Sequence, residues 1–498
     1  MRFNERRLPS SLLLLGLAVV LFAVSAKLAL IKHYGTDQPY ADQWAAEGMY
    51  LLRNPLYEPM PFGMVIAPHG EHRPALMRLV NRGLIVANEG QWDPYVELVA
   101  NLLIYAAFLA ITWRWIASLV RGPWLVVVAV IMAVLFAQPC VYENYLWGFQ
   151  SSFLFMFLCG VLHLYGTLAE MRLRTHWWLG QLAGFFGLFS IAAGSMSAAA
   201  LIVMAGIHLM RRRRNAWVWA TLLANGLLLG FGLWMLPPGA SGAHSHLGQL
   251  GAVVIRTGYL LSWPFAGGWW SFMVQAPCLV LLIAWWRNRD AFWTDGDEKL
   301  VALTAWVGCM AFAIAYGREI TPQTIGVRYY DVLVLGLFLN ALVVIRMVPR
   351  WTGWRRWLWC AAGVGWLCWI GWGLWGCNYP GHVGTLFKFQ HDLATEQQRV
   401  VRDFLASNDP APLKAFDDYA HRFPHFQITL DLLRDPNIRP HLPPSLTVDG
   451  QAGRLSRWAR LIAGWWSFGL IASAVCFLAG IIRFGVKAKK SEPAWFAT

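Results

Sequence analysis

Acidic residues are scarce in this sequence, because Asp and Glu together number 27 among 498 residues, against 41 Lys and Arg. Their scarcity makes their distribution informative. The segment 34–73, directly after the first apolar run, gathers acids and histidines, namely Asp37, Asp42, Glu47, Glu58, His69, Glu71 and His72. We therefore expect the chemistry of the protein to lie in this loop.

Cysteine motifs are absent as well. The eight cysteines show no CxxC or Cys/His spacing, which excludes a recognisable disulfide framework or a cysteine-based metal centre. They are scattered through apolar segments and are predicted to fill the core. The sequence also has no fixed-period repeat and no low-complexity tract, which excludes a repeat architecture.

Apolar residues dominate the composition, with 57% hydrophobic residues and a mean hydropathy of +0.44. Apolar runs near the 20 residues that cross about 30 Å of hydrocarbon recur along nearly the whole chain. The predicted fold class is an all-α polytopic membrane protein. The net charge of +14 comes mostly from short basic clusters between these runs, such as residues 211–214. Such clusters mark cytoplasmic loops, so we predict no nucleic-acid partner.

About twelve membrane spans are predicted, with both termini in the cytoplasm. The long segment 177–210 is divided into two short spans hinged at 194–197, because one helix of that length would exceed the bilayer. An interfacial helix is predicted at 250–265. The first run continues past the AVSA sequence at 23–26, which predicts an uncleaved anchor. The predicted spans are 12–31, 96–116, 124–138, 147–168, the two within 177–210, 216–236, 271–286, 300–316, 330–345, 357–376 and 459–482.

Three regions follow from this pattern. Residues 1–376 form a transmembrane core with a large first outer loop at 32–95, and residues 377–457 form an outer helical segment. Residues 458–498 hold the last span and a basic cytoplasmic tail. The outer segment is too small for a substantial core of its own, so we expect a helical lid resting on the membrane part.

Asp42 is the first candidate catalytic residue, because it follows the first span by about ten residues. A carboxylate at that place is able to act as general base toward an acceptor hydroxyl, or to hold a divalent cation beside a phosphate leaving group. Asp37 is the second candidate. The alternative for both is a solvated loop acid.

The motif HGEHR places His69, Glu71, His72 and Arg73 within five residues. Two histidines and a carboxylate are able to converge on a metal, although the spacing is not HExxH. The alternative is a polar turn that caps the following helix.

Two further loops carry candidate binding residues. The connection 317–331 places Arg318 and Arg328, with Tyr329, on the predicted outer side, where the positive-inside rule disfavours arginine. A guanidinium suits phosphate oxygens, so these arginines are candidates for binding a lipid phosphate. The alternatives are pairing with Glu319 or Asp331, or snorkelling to headgroups.

The motif VYENYLWGFQ, at a predicted outer end, is suited to a sugar face and its hydroxyls. A membrane-interface belt is the alternative interpretation for its tryptophan. The loop with His244 and His246 is predicted to be flexible, and contact with the substrate is the alternative. The candidate sugar-binding residues are Glu143, Asn144, Trp147 and Gln150.

Together, DQW after the first span, HGEHR, ENYLWGFQ, GRE with VRYY, and LLRDPNIRPHLPPSL resemble motifs of bacterial GT-C glycosyltransferases. The group comprises relatives of protein O-mannosyltransferases and aminoarabinose transferases. The resemblance extends from Asp42 to Leu446. Family members more often read DDW and HNEHR, so Gln43 here replaces the second acid and Gly70 replaces Asn.

The resemblance implies a multi-pass protein of the bacterial cytoplasmic membrane, with its active site on the outer face. It implies a polyprenyl-phosphate-linked sugar as donor, with membrane lipids around it. Asp42 takes the position of base or metal ligand, and Arg318 or Arg328 that of the phosphate contact. The residues His69, Glu71 and His72 take the acceptor or metal side. A divalent metal ion stays open as cofactor, because some members use one and others do not.

Two other classes are compatible with these motifs. An O-antigen-type ligase or polymerase also places Arg and His at the outer face, but takes a diphosphate-linked glycan and does not need the first-loop acid. A lipid or glycan transporter predicts charges deep inside the spans and symmetry between halves, and the sequence has few of the former and no evident repeat.

Overall fold

The computed structural model describes residues 10–237, 249–287, 294–318, 320–321, 325–447 and 450–490, and these residues are predominantly helical. The helices before the lid are α1 Ser10–Tyr34, α2 Phe62–Val65, α3 Ala75–Ala87, α4 Pro94–Ile116, α5 Trp124–Phe136, α6 Glu143–Leu146, α7 Ser151–Leu168, α8 Thr175–Gly187, α9 Met196–Met210, α10 Ala216–Trp234, α11 Leu250–Leu261, α12 Trp270–Val274, α13 Ala276–Arg287, α14 Asp295–Gly317, α15 Tyr330–Met347 and α16 Gly353–Cys377. The remaining helices are α17 Pro380–Ser407, α18 Ala411–Ala420, α19 Phe426–Arg434, α20 Arg454–Gly464 and α21 Trp466–Lys490.

Nine helical segments of the described chain are long and apolar enough to cross a membrane. A helix satisfies its backbone hydrogen bonds internally, which is what hydrocarbon requires. The prediction of a multi-pass α-helical membrane protein is thereby confirmed. The nine segments are Ser10–Tyr34, Pro94–Ile116, Gly148–Leu168, Ala192–Met210, Ala216–Trp234, Asp295–Gly317, Val327–Arg350, Gly353–Cys377 and Trp466–Gly485.

Three predicted spans correspond to shorter helices, which are α5, α8 and α13. Each has 12 or 13 residues, or about 20 Å at 1.5 Å per residue, which is less than the hydrocarbon thickness of about 30 Å. The predicted count of twelve is therefore not confirmed by helix length. The break predicted within 177–210 is present, because α8 ends at Gly187 and a short 3-10 turn, Ala192–Ser195, precedes α9.

The first and last helices pack against each other in opposite directions. The backbone of Gly480 lies against Leu15, and that of Gly469 lies against Ser25. The start of α1 and the end of α21 therefore lie at the same end of the helix bundle. The loop that follows α1 lies at the opposite end, which we call the acidic-loop end.

The other end of the bundle is fastened by ion pairs between helices. Asp297 at the start of α14 lies 3.2 Å from Arg346 and 2.5 Å from Arg350. Its neighbour Glu298 lies 2.9 Å from Arg213. Residues of the predicted cytoplasmic clusters thus gather at the end away from the acidic loop.

Residues 378–453, which we call the lid segment, pack on the first loop. Phe404, Phe423 and Leu432 of the lid segment share one hydrophobic cluster with Trp44 and Trp92. The side chain of a lid glutamine also reaches back, since Nε2 of Gln397 donates to the Pro39 carbonyl at 2.7 Å. The lid segment therefore shares its core with the loop instead of forming one alone.

The final span begins later than predicted. The chain is interrupted at Trp465, so α20 and α21 are separate helices and the predicted span 459–482 is wrong at its start. The reason is the charge on α20, since Arg460 lies 2.9 Å from Asp93 and 3.4 Å from Asp37. These ion pairs hold α20 at the polar edge of the bundle.

Candidate functional site

A cavity of about 980 Å³ lies at the acidic-loop end. It is formed where the first loop, the connections around residues 147–153, 191–196 and 317–329, and the lid segment meet. Nine of the thirteen predicted site residues line it, and this convergence from distant parts of the chain identifies the candidate site. The nine are Asp42, His69, Glu71, His72, Trp147, Gln150, Arg318, Arg328 and Tyr329.

Asp42 stands in the turn that opens a short π-helix, Trp44–Leu52. Its Oδ2 lies 3.8 Å from Nε2 of His69. Burial alone would raise the pKa of Asp42, but the proximity of His69, with that of Arg328 and His425, outweighs burial and lowers the pKa below its usual value. Asp42 is therefore ionised at neutral pH.

His69 and His72 are the ends of a tight turn. The His69 N–H donates to the His72 carbonyl at 2.8 Å, and the His72 N–H donates back at 2.9 Å. Gly70 lies between them with φ of +54°, in the left-handed region. Glycine occupies that region without strain, and Asn is among the other residues that tolerate it. Gly70 thus suits the conformation of this turn.

Glu71 lies at the centre of a small charged group. Nη2 of Arg318 binds Oε1 of Glu71, and Nε2 of His72 lies 3.5 Å from the same oxygen. The Ala192 N–H donates to Nδ1 of His72 at 3.1 Å, which leaves the ring proton on Nε2. Burial lowers the pKa of His72 to about 4, because its effect is larger than the opposing effect of the Glu71 charge. His72 is therefore neutral near pH 7.

The four candidate metal ligands fall into two pairs, Asp42 with His69 and Glu71 with His72. Within the described ranges, no group of three or more His, Cys, Asp or Glu side chains is placed to hold a metal ion. Glu71 is also engaged by Arg318. The protein side chains present therefore do not form a complete metal site by themselves.

Arg328 is held in position by two residues outside the cavity lining. Its N–H donates to Oε2 of Glu143 at 3.1 Å, and its Nη1 lies 3.6 Å from the other carboxylate oxygen. Nδ2 of Asn144 donates to the Arg328 carbonyl at 2.8 Å and to Asp331 at 2.7 Å. Glu143 and Asn144 thus position Arg328. The alternative partner Glu319 lies outside the described residues.

Trp147 and Gln150 form a buried part of the cavity wall. Their side chains are 4% and 1% exposed, and the Trp147 ring stacks on Phe149 with a centroid distance of 5.5 Å. Trp147 is therefore not a lipid-facing residue of an interfacial belt. Nε1 of Trp147 and Oε1 of Gln150 have no hydrogen-bond partner in the described part of the protein.

Asp37 and Arg73 are not brought to the cavity. Asp37 accepts hydrogen bonds from the N–H of Ser445 at 3.1 Å and from its hydroxyl at 2.7 Å. Arg73 donates to the carbonyls of Met235 and Ile66, both at 2.9 Å. Both residues connect chain segments at the acidic-loop end. His244 and His246 lie outside the described residues.

Gln43, next to Asp42 in the chain, does not line the cavity. Its Nε2 donates to Glu97 at 2.8 Å and to Glu47 at 3.2 Å. Nε1 of Trp92 donates to the same two carboxyl groups, at 3.0 and 3.3 Å. Both glutamates are fully buried. An amide donor fits here, whereas an acid would place a third carboxyl group beside the pair.

The lid segment supplies two cavity residues that sequence reasoning missed, His425 and Ile428. The ring of His425 lies 6.5 Å from that of His69. The only signal in the sequence is that HRFPHF, which carries two histidines, lies between two amphipathic helices. Nothing in it indicates contact with a loop about 350 residues earlier in the chain.

The opposite side of the cavity is apolar and reaches the protein surface. Leu233, Leu236 and Leu250 line it and are between 37% and 55% exposed, and Phe312 is 40% exposed. These residues belong to or adjoin helices α10, α11 and α14. On this side, apolar side chains therefore continue from the cavity to the protein surface.

The chain matches no known family model. No curated protein matches it either. The fold and the site define its class as a multi-pass helical membrane protein with a large cavity, charged on one side and apolar on the other, at one end of the bundle.

Proposed function

We propose that this protein is an integral membrane glycosyltransferase. It moves a sugar from a polyprenyl-phosphate donor to a lipid, glycan or protein acceptor at the outer face of the bacterial cytoplasmic membrane. The observation that carries this proposal is the composition of the cavity, where Asp42, two arginines, buried neutral polar atoms and an apolar edge meet. The substrate has an anionic phosphate, a sugar and a long apolar tail, which suit the arginines, the neutral polar atoms and the apolar edge in that order. Asp42 is then the base for the acceptor hydroxyl.

The proposed topology has twelve crossings and both ends of the chain in the cytoplasm. The antiparallel contact of α1 with α21 requires an even number of crossings between them. The total number of crossings, with α1 and α21 included, is then even as well. Because the long segments number nine, the shorter helices must add an odd number of crossings. Assigning one each to α5, α8 and α13, with their adjoining turns, gives twelve. The acidic-loop end then lies outside, and the basic clusters lie inside.

The charge of the cavity supports a monophosphate donor. Its lining holds two acids, two arginines and three histidines, and the charges of the acids and the arginines balance. Arg318 already binds Glu71, and Arg328 faces Glu143. Little positive charge is left for a diphosphate, which is the donor of the ligase and polymerase alternative. A single phosphate between the two guanidinium groups suits this balance better.

In the proposed reaction an acceptor hydroxyl attacks the anomeric carbon of the donor sugar. Asp42 accepts the hydroxyl proton, the new C–O bond forms, and the bond from the anomeric carbon to the phosphate oxygen breaks. Polyprenyl phosphate leaves with the bonding electrons, and Arg328 stabilises its charge. Because the pKa of Asp42 is lowered, it is a weak base, so proton transfer accompanies bond breaking instead of preceding it.

The test is sugar transfer by the purified protein in liposomes, offered a panel of polyprenyl-phosphate sugars with and without a chelator. We expect release of polyprenyl phosphate and a glycosylated acceptor with at least one donor. Loss of activity with chelator, restored by a divalent cation, would add a metal to the site. No release from any donor by a folded protein would contradict the proposal and favour the diphosphate-dependent ligase or the transporter.

A further inference from the structure

Trp147 and Gln150 present two polar atoms that no described residue satisfies. Nε1 of Trp147 is a donor and Oε1 of Gln150 is an acceptor. Both side chains are buried, and both line the cavity. Burying a polar atom without a partner is unfavourable, so a pair of such atoms in a cavity wall indicates where a ligand supplies the missing hydrogen bonds.

The wall that carries them is rigid. The backbone of Gly148, between the two residues, packs so closely on Glu97 that a Cβ would meet the carboxylate at 2.1 Å. Nδ2 of Asn101 donates to the Gly148 carbonyl at 3.0 Å. Ring stacking on Phe149 holds Trp147. The two polar atoms are therefore fixed before a ligand arrives, which lowers the entropic cost of binding.

The side chains packed directly on the Trp147 ring are apolar or aromatic. Trp147 forms a buried apolar cluster with Ala46, Met77 and Phe149. A charged ligand group placed here would lose water without gaining a counter-charge from the indole or the amide. A sugar hydroxyl has no such cost, because it accepts from the indole N–H and donates to the amide oxygen.

We propose that Trp147 and Gln150 form a subsite for the donor sugar that selects a neutral sugar with free hydroxyl groups over an amino sugar or a uronic acid. This inference rests on the proposed function. It assigns a class of sugar to the site, whereas the resemblance to aminoarabinose transferases alone leaves a charged sugar equally open.

The test is equilibrium binding to the purified protein of radiolabelled polyprenyl phosphate, alone or carrying glucose, glucosamine or glucuronic acid. Binding is measured without acceptor, so no transfer is needed. We expect wild type to bind the glucose form more tightly than bare polyprenyl phosphate. The glucosamine and glucuronic acid forms should gain no affinity over the bare lipid.

The variants Trp147→Phe and Gln150→Leu each remove one polar group. Each should reduce the affinity for the glucose form about five- to tenfold, the value of one hydrogen bond, and leave the affinity for bare polyprenyl phosphate unchanged. Trp115→Phe is the matched control. Nε1 of Trp115 is also buried without a partner in the described chain, but Trp115 does not line the cavity.

The outcomes separate the two proposals. If the bare lipid and the glucose form bind equally, or if the variants behave like Trp115→Phe, the subsite is wrong while the lipid site stands. Tighter binding of the charged sugars would overturn the selectivity. If no polyprenyl phosphate compound binds to folded protein, the proposed function fails and the inference fails with it.

Discussion

Nε2 of His69 lies 3.8 Å from Oδ2 of Asp42, and the two side chains come from segments 27 residues apart in the chain. His69 is largely covered at 14% exposure, whereas Asp42 is 33% exposed. The histidine therefore supports the carboxylate from the protein side and leaves it open to the cavity. In the proposed reaction, Asp42 is the residue that meets the substrate and His69 is the residue that keeps it ionised.

Replacing His69 should shift the pH dependence of sugar transfer. His69 opposes the effect of burial on the pKa of Asp42, so His69→Gln raises that pKa. Asp42 then becomes protonated at a higher pH, and the acid limb of the pH–rate profile moves upward. His425→Gln should move it less, because His425 contributes less than His69 to the lowered pKa. An acid limb that stays in place in His69→Gln would contradict this role.

Arg328 should act on the donor phosphate. Arg328→Ala removes the guanidinium from the cavity, and we expect donor KM to rise and kcat to fall, together lowering kcat/KM by at least about 100-fold. Arg328→Lys keeps the charge but loses the planar fork, so it should recover part of the loss. Steady-state kinetics with varied donor checks both. Equal activity of Arg328→Ala and wild type would rule the contact out.

The buried carboxyl group of Glu47 should make stability depend on pH. Burial, against hydrogen bonds led by that of Gln43, raises the pKa of Glu47 from 4.5 to about 7. Its contribution to folding stability is full below about pH 4.5, is lost as the pH rises through 7, and is constant above that. A shift of this size corresponds to on the order of 3 kcal/mol.

We therefore expect the Tm of Glu47→Gln in detergent, measured relative to that of wild type at the same pH, to increase between pH 5 and pH 8. Glu58→Gln is the control, because Glu58 is an exposed acid of the same loop. If wild type and Glu47→Gln show the same change in Tm with pH, the buried group does not titrate as described.

Asp37 should matter for the lid segment and not for chemistry. Asp37→Asn weakens the contacts with Ser445 and Arg460, so proteases should cut the lid segment near residue 445 faster in the variant. Transfer activity, measured on intact protein, should stay within about threefold of wild type. A loss of activity as large as that of Asp42→Asn, without faster proteolysis, would return Asp37 to the catalytic site.

Sequence reasoning identifies a site residue when its type is unexpected at its place in the chain. Arg318 and Arg328 are conspicuous because arginine is disfavoured in a predicted outer loop, and Asp42 because acids are rare. It fails where the partner is distant in the chain, since the contacts of Glu143 with Arg328 and of Asp37 with Ser445 span 185 and 408 residues. His425 is missed for the same reason.

The helix pattern is predictable for similar reasons. Hydropathy locates the long spans, because each contains a long apolar stretch. It misjudges the last one, where α20 carries Arg460, whose partners Asp37 and Asp93 lie near the two ends of the first loop. The limits of α8 depend on packing, since Gly180 and Gly184 lie directly against His163 of α7.

The most direct measurement is release of polyprenyl phosphate from a donor that wild type uses, by Asp42→Asn and Asp37→Asn side by side. Loss of a general base costs about 10²- to 10⁴-fold. The account predicts that Asp42→Asn falls by at least about 100-fold with donor binding preserved, while Asp37→Asn stays active. Full release of polyprenyl phosphate by a folded Asp42→Asn protein would contradict it.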